Sequence, residues 1–336
     1  MGVYRVHIQP GAPFYNGAHS RARKAGALVH SDTLHAALVS VAAMRGSPLL
    51  NRAETLRVSS LYPGWAGLWF LPKPFLRPPG ADDTANPLAR KRWKAIRLVS
   101  EGVLTAWIAG TLTEADLAGD APAGCALLNS EVPPGNHLPH TLVAEETTAA
   151  VTVDRRNAGT APFDRRGLRV NTAEGGNAHF LVDLEDAEVE EFRDLAGLLG
   201  EQGLGGERTV GYGRFRVESL EPVNGGLFAP SKSANAFLTL SLYLPTEAEV
   251  SAGVLETPAA YDCTLRGGWI HSAGGTPQRK RSLRMCIEGS VFRKTAPKHG
   301  EVRDAAPASF TRHPVYRSGL AFEIPFQFKE GSAHEC

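Results

Sequence analysis

The sequence predicts an α+β chain built from two units, and three observations carry that prediction. Alternating apolar runs such as Val3 to Ile8 and Ala236 to Leu244 have the period of strands. Leu34, Leu38, Val41 and Ala42, and again Val189, Phe192, Leu195 and Leu199, have the spacing of one helical face. At 336 residues the chain is long enough for two ordinary domains, each with its own core.

Composition narrows the class. A hydrophobic content of 43% with 21% charged residues describes a folded, soluble chain, not a disordered one. No apolar run approaches the ~20 residues needed to span a bilayer. The first residues read as a strand, not as a leader's apolar stretch, so a cytoplasmic location is expected. Cys125, Cys263, Cys286 and Cys336 are far apart, with no C-x-x-C pair. They read as reduced thiols, and neither a metal site nor a cofactor motif is expected. Net charge is only +1, so any affinity for nucleic acid must be local.

In chain order, Gly2 to Pro10 is a strand with Tyr4, Val6 and Ile8 on one face. Gly11 to Val29 reads as a loop carrying Arg21, Arg23 and Lys24. Ser31 or Asp32 is expected to cap a helix running to about Arg45, which Gly46-Ser47-Pro48 ends. Thr55 to Leu61 and Gly67 to Leu71 are predicted strands around a Pro63-Gly64 turn. This β-α-β-β order opens a ferredoxin-like unit. Insertions occupy about 75–172. Within them, Lys91-Arg92-Trp93-Lys94 reads as a solvated helix face with one buried Trp. Val103 to Leu112 fits either a strand or a helix, and Thr113 to Pro139 reads as an exposed excursion. Ala149 to Asp154 and Gly167 to Val170 read as a hairpin arm whose tip holds Arg155, Arg156, Arg165 and Arg166. His179 to Leu184 is a strand, followed by a helix to Glu201.

From Glu174 to Glu191 there are seven acidic residues and no Lys or Arg. They complement the dipole at the start of that helix, which explains the run without a partner. Asn224-Gly225-Gly226 marks the expected boundary between units 1–223 and 224–336. The second unit reads as a degenerate ferredoxin-like domain with strands at 236–244, 263–271, 283–292 and 315–328.

The stretch between the acidic helix and the strand after it carries the chemistry. Gly203-Leu204-Gly205, five residues, then Gly211-Tyr212-Gly213 form a loop dense in glycine. Such a loop lets backbone amides approach another molecule closely and form an anion-binding nest. Arg208 and Arg214 add guanidinium groups suited to phosphate, and Tyr212 and Phe215 offer faces for base stacking. The dinucleotide fingerprint fails, because Gly203-x-Gly205 is followed by Arg208 where glycine is required. The Walker pattern fails because Tyr212, not Lys, follows Gly211.

A G-φ-G-x5-G-φ-G loop between the last helix and last strand of a ferredoxin-like fold resembles the RAMP proteins of CRISPR systems, RNA-binding relatives of the RRM fold. Three further stretches narrow the likeness: His30-Ser31-Asp32-Thr33-Leu34, Arg284-Met285-Cys286-Ile287-Glu288-Gly289-Ser290 and His313-Pro314-Val315-Tyr316-Arg317-Ser318-Gly319. With Val153-Asp154-Arg155 they are similar to the branch formed by the fourth Csm subunits of subtype III-A effector complexes. The region from Phe75 to Thr147 matches no known pattern.

That resemblance implies a non-catalytic subunit that holds the 5′ handle of CRISPR RNA (crRNA). It also implies two protein partners, a large polymerase-like Cas subunit and the first backbone RAMP subunit. The arm is expected to lie along the guide and displace a base. RNA-contacting residues carried over are Gly205, Gly206, Arg208, Thr209, Gly211, Tyr212, Gly213 and Arg214 in the loop, His30, Ser31 and Asp32 at the first helix, and Asp154 and Arg155 in the arm. From His271 to Lys298 there are seven basic residues against one acidic residue. On charge alone, Arg279, Lys280, Arg281 and Arg284 join the candidates. His313, Tyr316 and Arg317 are expected to pin the second unit rather than touch RNA. Two competing readings are a crRNA-processing RAMP endoribonuclease with His30 as general base, and the equivalent subunit of a subtype III-B complex.

Overall fold

The computed structural model describes residues 2–15, 26–78, 87–135, 137–154, 156–157, 159–229, 231, 233–270 and 278–329. The loop basic residues Arg21, Arg23 and Lys24, the arm residue Arg155 and the thiol Cys336 lie outside them.

Strand β1 (Gly2–Pro10) buries Tyr4, Val6 and Ile8 on one face, as its alternation predicts. Helix α1 (Ser31–Arg45) ends on Gly46, which adopts the left-handed conformation with φ 66°. Neither Ser31 nor Asp32 caps it. His30 stands at the N-cap without a capping side chain, and the Ser31 amide donates to Ser60 Oγ at 2.8 Å. The segment 55–61 is not a strand but makes isolated bridges, Val58 with Val182 and Leu61 with Val29. Strands β2 (Tyr62–Trp65) and β3 (Leu68–Pro72) turn at Ala66-Gly67, not at Pro63-Gly64. The reason is dihedral. A two-residue hairpin turn of this hand needs φ > 0 at both positions, and Ala66 (48°) and Gly67 (83°) supply it.

The insertion is structured. Helix α2 (Pro87–Ala95) buries Trp93, which meets Trp107 edge-on with ring centroids 5.1 Å apart. Strand β4 (Leu98–Ser100) leads into helix α3 (Glu101–Ala109), and β5 (Cys125–Ala126) pairs parallel to β4. The expected excursion at 113–139 instead sends Leu117, Ala118, Cys125, Ala126 and Leu127 into the core. Glycine and proline there serve tight turns between short buried segments. Strands β6 (Val143–Val153) and β7 (Thr160–Val170) form the arm, in unbroken register from Val143↔Val170 to Val153↔Thr160. Strand β8 (Gly176–Leu184), helix α4 (Val189–Gln202) and strand β9 (Phe215–Pro222) follow.

These strands make one seven-stranded sheet, ordered β5-β4-β3-β2-β8-β1-β9. The helices α1 and α4 pack on one face, where Val6, Ile8, Phe180 and Val182 meet Leu34, Leu38, Phe192 and Leu195. The period of two sends Leu181, between Phe180 and Val182, to the other face.

That other face is covered by the C-terminal part. It contains β10 (Ala236–Thr239), α5 (Glu247–Ser251), β11 (Cys263–Arg266), β12 (Leu283–Cys286), β13 (Val291–Arg293), β14 (Val302–Asp304), β15 (Tyr316–Ser318) and β16 (Glu323–Phe326). Tyr62, Phe70 and Leu181 share a single apolar cluster with Leu238, Leu240, Val291, Phe322 and Ile324. The expectation of two separate cores is therefore corrected: the main apolar cluster runs across residue 224, because both faces of the sheet are apolar and need cover. Among the described residues no helix is long and apolar enough to cross a membrane.

Candidate nucleic-acid interface

The glycine loop begins where α4 ends. Gly203 (φ 85°), Gly205 (95°), Gly211 (92°) and Gly213 (72°) are left-handed, and so is Glu207 (56°). Most of these glycines are dictated by the chain's own packing. A Cβ on Gly203 would sit 2.5 Å from the Tyr212 carbonyl oxygen, and one on Gly206 would sit 2.5 Å from the Tyr15 ring. One on Gly205 would meet the Tyr15 carbonyl at 2.8 Å, and one on Gly213 would enter the Leu204 backbone. Gly211 alone of the five faces open space.

The amides follow the same logic. Those of Leu204, Gly206 and Gly213 donate to the carbonyls of Gly213, Tyr15 and Pro13 at 2.8–3.2 Å. Those of Gly203, Val210, Gly211 and Tyr212 donate to Leu199, Glu207, Arg208 and Glu207. A broad amide nest is thus corrected to a narrow one. Only Gly205, Glu207, Arg208 and Thr209 have amides without a backbone acceptor among the described residues. Thr209 and Val210 stand exposed at the tip, Arg208 is half-buried and Arg214 is exposed.

Tyr212 and Phe215 are both 7% exposed, so neither offers a stacking face. Phe215 belongs to the core against α4. Tyr212 instead holds the arm. A Cβ on Gly167 would lie 2.9 Å from the Tyr212 ring, and the Tyr212 hydroxyl reaches Thr148 Oγ1 at 3.4 Å. Arg165 Nε donates to Glu207 Oε2 at 2.9 Å, and Phe14 bridges Leu168. The loop is therefore the socket of the arm.

By the pleat, Phe163, Arg165, Gly167 and Arg169 share the arm face that meets the loop. The Arg165 guanidinium also lies 5.1 Å from the Phe163 ring centroid. Asp154 is exposed near the arm's tip, where its carboxylate accepts from the Arg156 amide at 2.8 Å. Arg165 and Arg166 lie opposite Thr148 and Thr147, in the middle of the arm and not at its tip as expected. Arg165 is paired with Glu207, and Arg169, near the foot, with Glu146. A groove of about 960 Å³ opens at the arm's foot, where Lys73, Lys94, Arg97, Leu142 and Leu168 lie along its walls.

His30, Ser31 and Asp32 are each 2% exposed and lie at the seam with the C-terminal part, not on a surface. His30 Nδ1 is 2.7 Å from Glu288 Oε1, which also accepts from the Ser60 hydroxyl. Ser31 Oγ accepts from the Leu242 amide at 2.9 Å. Asp32 accepts from Arg266 at 2.7 and 3.0 Å and from Arg317. Burial works against its charge, but the Arg266 and Arg317 guanidiniums outweigh that and hold its carboxyl below the usual carboxylate range. Burial likewise opposes ionisation of Glu288, and the charge of His30 with the His30 and Ser60 hydrogen bonds brings its carboxyl below its ordinary value. The His30-Ser31-Asp32 motif is therefore a clamp, whose polar groups face inward because their partners are buried with them.

The charge-based candidates divide. Lys280 is half-buried, and desolvation with Arg317 nearby pushes its ammonium down to about 8. Arg281 donates to the Asp304 carbonyl at 2.6 Å. Arg279, Arg281 and Arg284 are all exposed. Arg317 pins the C-terminal part through Asp32, as expected, while His313 stays exposed against Phe310.

Sequence reasoning missed Glu288, Arg266 and Ser60 as clamp members and Glu207 with Arg165 as the arm's fastening. The motif containing Glu288 was the available signal. Nothing in spacing announces a partner 258 residues away. Nor does spacing announce that Cys263 and Cys286, far apart in sequence, face each other across β11–β12 with sulfurs 3.8 Å apart.

The chain is an α+β protein built on one large mixed sheet, with an arm socketed in its glycine loop. Residues 232–326 match the family model of the CRISPR Csm4 C-terminal domain. A CRISPR system Cms protein Csm4 of Mycobacterium tuberculosis is 29% identical over 294 residues, 85% of this chain and 86% of the relative. One of Methanocaldococcus jannaschii is 24% identical over 220 residues, 57% of each. A chain in the crystal structure of a Csm3–Csm4 subcomplex of the type III-A CRISPR-Cas interference complex shares the fold. Its TM-score is 0.65 at 18% identity, over 96% of this chain and 99% of that one. A chain of a Csm1–Csm4 cassette in complex with cA4 superposes with TM-score 0.59 at 16% identity, over 98% and 100%. The chain is Csm4-like, as the loop and the C-terminal motifs implied.

Proposed function

We propose that this chain is a non-catalytic RNA-binding subunit of a type III-A CRISPR effector complex, one that holds the 5′ handle of crRNA. The observation that carries this reading is the socket. Glu207 and Tyr212 fasten the arm, which sets Arg165, with Phe163 on the same arm face, against the loop beside the residue that precedes Arg208. Phosphates meet Arg208, Arg214 and the four remaining loop amides. The relatives support a place between subunits, because solved Csm4 complexes contain Csm3 in one case and Csm1 in another. We assign the large polymerase-like subunit and the backbone RAMP subunit as partners, and the cytoplasm as the location.

The strand order β2-β8-β1-β9, with each neighbouring pair antiparallel, supports a ferredoxin-like N-terminal unit ending near residue 223. The C-terminal part is its degenerate counterpart. Burial of His30 against Glu288 supports a chain without nuclease activity, since a general base must reach a proton on its substrate. Purified protein incubated with repeat RNA is expected to leave it uncut.

The handle reading is tested at the loop. Arg208→Ala is expected to weaken binding of handle-containing RNA by ~1–3 kcal/mol and to flatten its salt dependence. Equal affinity and an equal salt slope would remove the loop from the interface. Small RNA that co-purifies with the chain should share one repeat-derived 5′ end.

A further inference from the structure

The ribbon β11–β12 carries a surface that neither the loop nor the arm explains. From Cys263 to Cys286 the sequence holds five Arg or Lys residues and no Asp or Glu. Three of the five are less free to meet a partner: Arg266 pairs with Asp32, Lys280 is half-buried, and Arg281, though exposed, donates to the Asp304 carbonyl.

The other two point outward, and the ribbon's register places each opposite an exposed apolar side chain. Leu265 pairs across the strands with Arg284, and the bridge beyond pairs Trp269 with Arg279. Alternation sends the neighbouring pair Thr264 and Met285 inward, where both are buried. Leu265 remains 67% exposed and Trp269 58%. The Arg279 guanidinium lies 4.8 Å from the Trp269 ring centroid. The chain's other tryptophans, Trp65, Trp69, Trp93 and Trp107, are all buried.

An exposed leucine on β11 and an exposed indole at the bridge beyond Gly267-Gly268, each opposite an outward arginine, form a platform with a definite chemistry. The flat ring gives a π-face that any base can use, and the guanidiniums supply planar stacking surfaces and donors for phosphate. We propose that the outer face of β11–β12 is a second platform for single-stranded RNA. One base stacks at Trp269 beside Arg279, Leu265 contacts its neighbour, and Arg284 holds the phosphate between them. This platform does not depend on the glycine loop.

Because Trp269 is the exposed tryptophan, the full chain reports on its own platform. Titration with 12-nucleotide oligoadenylate or oligouridylate is expected to quench the tryptophan emission. The quenching should disappear in Trp269→Leu, and Trp269→Ala should lower affinity by at least about fivefold. Arg279→Ala and Arg284→Ala should each reduce the slope of log affinity against log salt by about 0.7. Arg208→Ala, a change at the loop, should leave the quenching amplitude intact, so failure of either site is seen separately.

Retention of full RNA affinity by both Trp269→Ala and Arg284→Glu, each with an unchanged Tm, overturns the proposal. So does loss of co-purification with a neighbouring protein subunit at unchanged RNA affinity, which would make the ribbon a protein-docking face.

Discussion

Asp32→Asn is expected to lower the stability of the whole chain by about 3–5 kcal/mol. The carboxylate sits between Arg266 and Arg317, with Arg317 only 4% exposed. Removing the negative charge leaves two cations facing each other in a site where water cannot replace it. The loss should not be confined to the C-terminal part. Leu238, Leu240, Phe322 and Ile324 share their core with Tyr62, Phe70 and Leu181, so loosening one side exposes the other. A single cooperative transition at lower denaturant concentration is the expected result. Two separated transitions would show that the clamp and the shared core do not couple the halves.

The charge explanation has its own control. Replacing Asp32, Arg266 and Arg317 together by apolar residues of similar volume should recover much of the loss, because it leaves no unpaired ion behind. A pH series adds a second. The folded-state pKa values of Asp32 and Glu288 are both lowered, so the unfolded chain binds more protons than the folded one as acid is added. Their stabilisation is present above the unfolded carboxylate range, near 4, and is lost as pH falls through the folded values. Tm should drop on acidification, and Asp32→Asn should make that acid limb shallower. An equally steep limb in the variant would place the acid sensitivity elsewhere.

Gly213→Ala is expected to cost about 3 kcal/mol and to release the arm. Gly213 has φ 72°, which an alanine adopts at a cost of order 1–3 kcal/mol, and the added methyl would enter the Leu204 backbone. That backbone cannot yield easily. The Leu204 amide donates to the Gly213 carbonyl at 2.9 Å, and the Gly213 amide donates to Pro13 at 2.8 Å. Forcing them apart displaces Tyr212 from Gly167 and Glu207 from Arg165. The readouts are a lower Tm and faster trypsin cleavage at Arg165 and Arg166. Gly211→Ala is the comparison, since Gly211 has φ 92° but nothing near its would-be methyl. It should show only the backbone strain, on the order of 1 kcal/mol. Equal effects of the two variants would mean that the close approach at Leu204 contributes nothing.

How much of this was legible in the chain can be argued from particular residues. Helices α1 and α4 were readable because one apolar stripe every 3.6 residues has one interpretation. Strand β1 was readable because Tyr4, Val6 and Ile8 alternate with polar neighbours. Segment 103–112 was not, since a mostly apolar run without a clear period fits a helix or a buried strand equally well. The β2–β3 turn was misplaced because Pro63-Gly64 is the commoner turn pair, whereas Ala66-Gly67 had to bend to suit the twist of the strands. In the glycine loop, density was visible and purpose was not. The same glycines serve close approach of a ligand or of the chain itself, and here Tyr15, Leu204 and Tyr212 occupy most of that space.

Periodicity and motif therefore decided helices α1 and α4, strand β1, the existence of the arm and the loop, and the likeness to Csm4, all of which depend on neighbours a few residues apart. The fold alone decided that His30, Ser31 and Asp32 lock a seam, that Tyr212 seats the arm, and that of four clustered basic residues only Arg279 and Arg284 face out beside apolar partners. Those outcomes depend on pairs up to 285 residues apart, Asp32 with Arg317 among them. A side chain's charge and shape are written in its own position. Whether water, an ion partner or a ligand meets it is settled by which distant segment packs there.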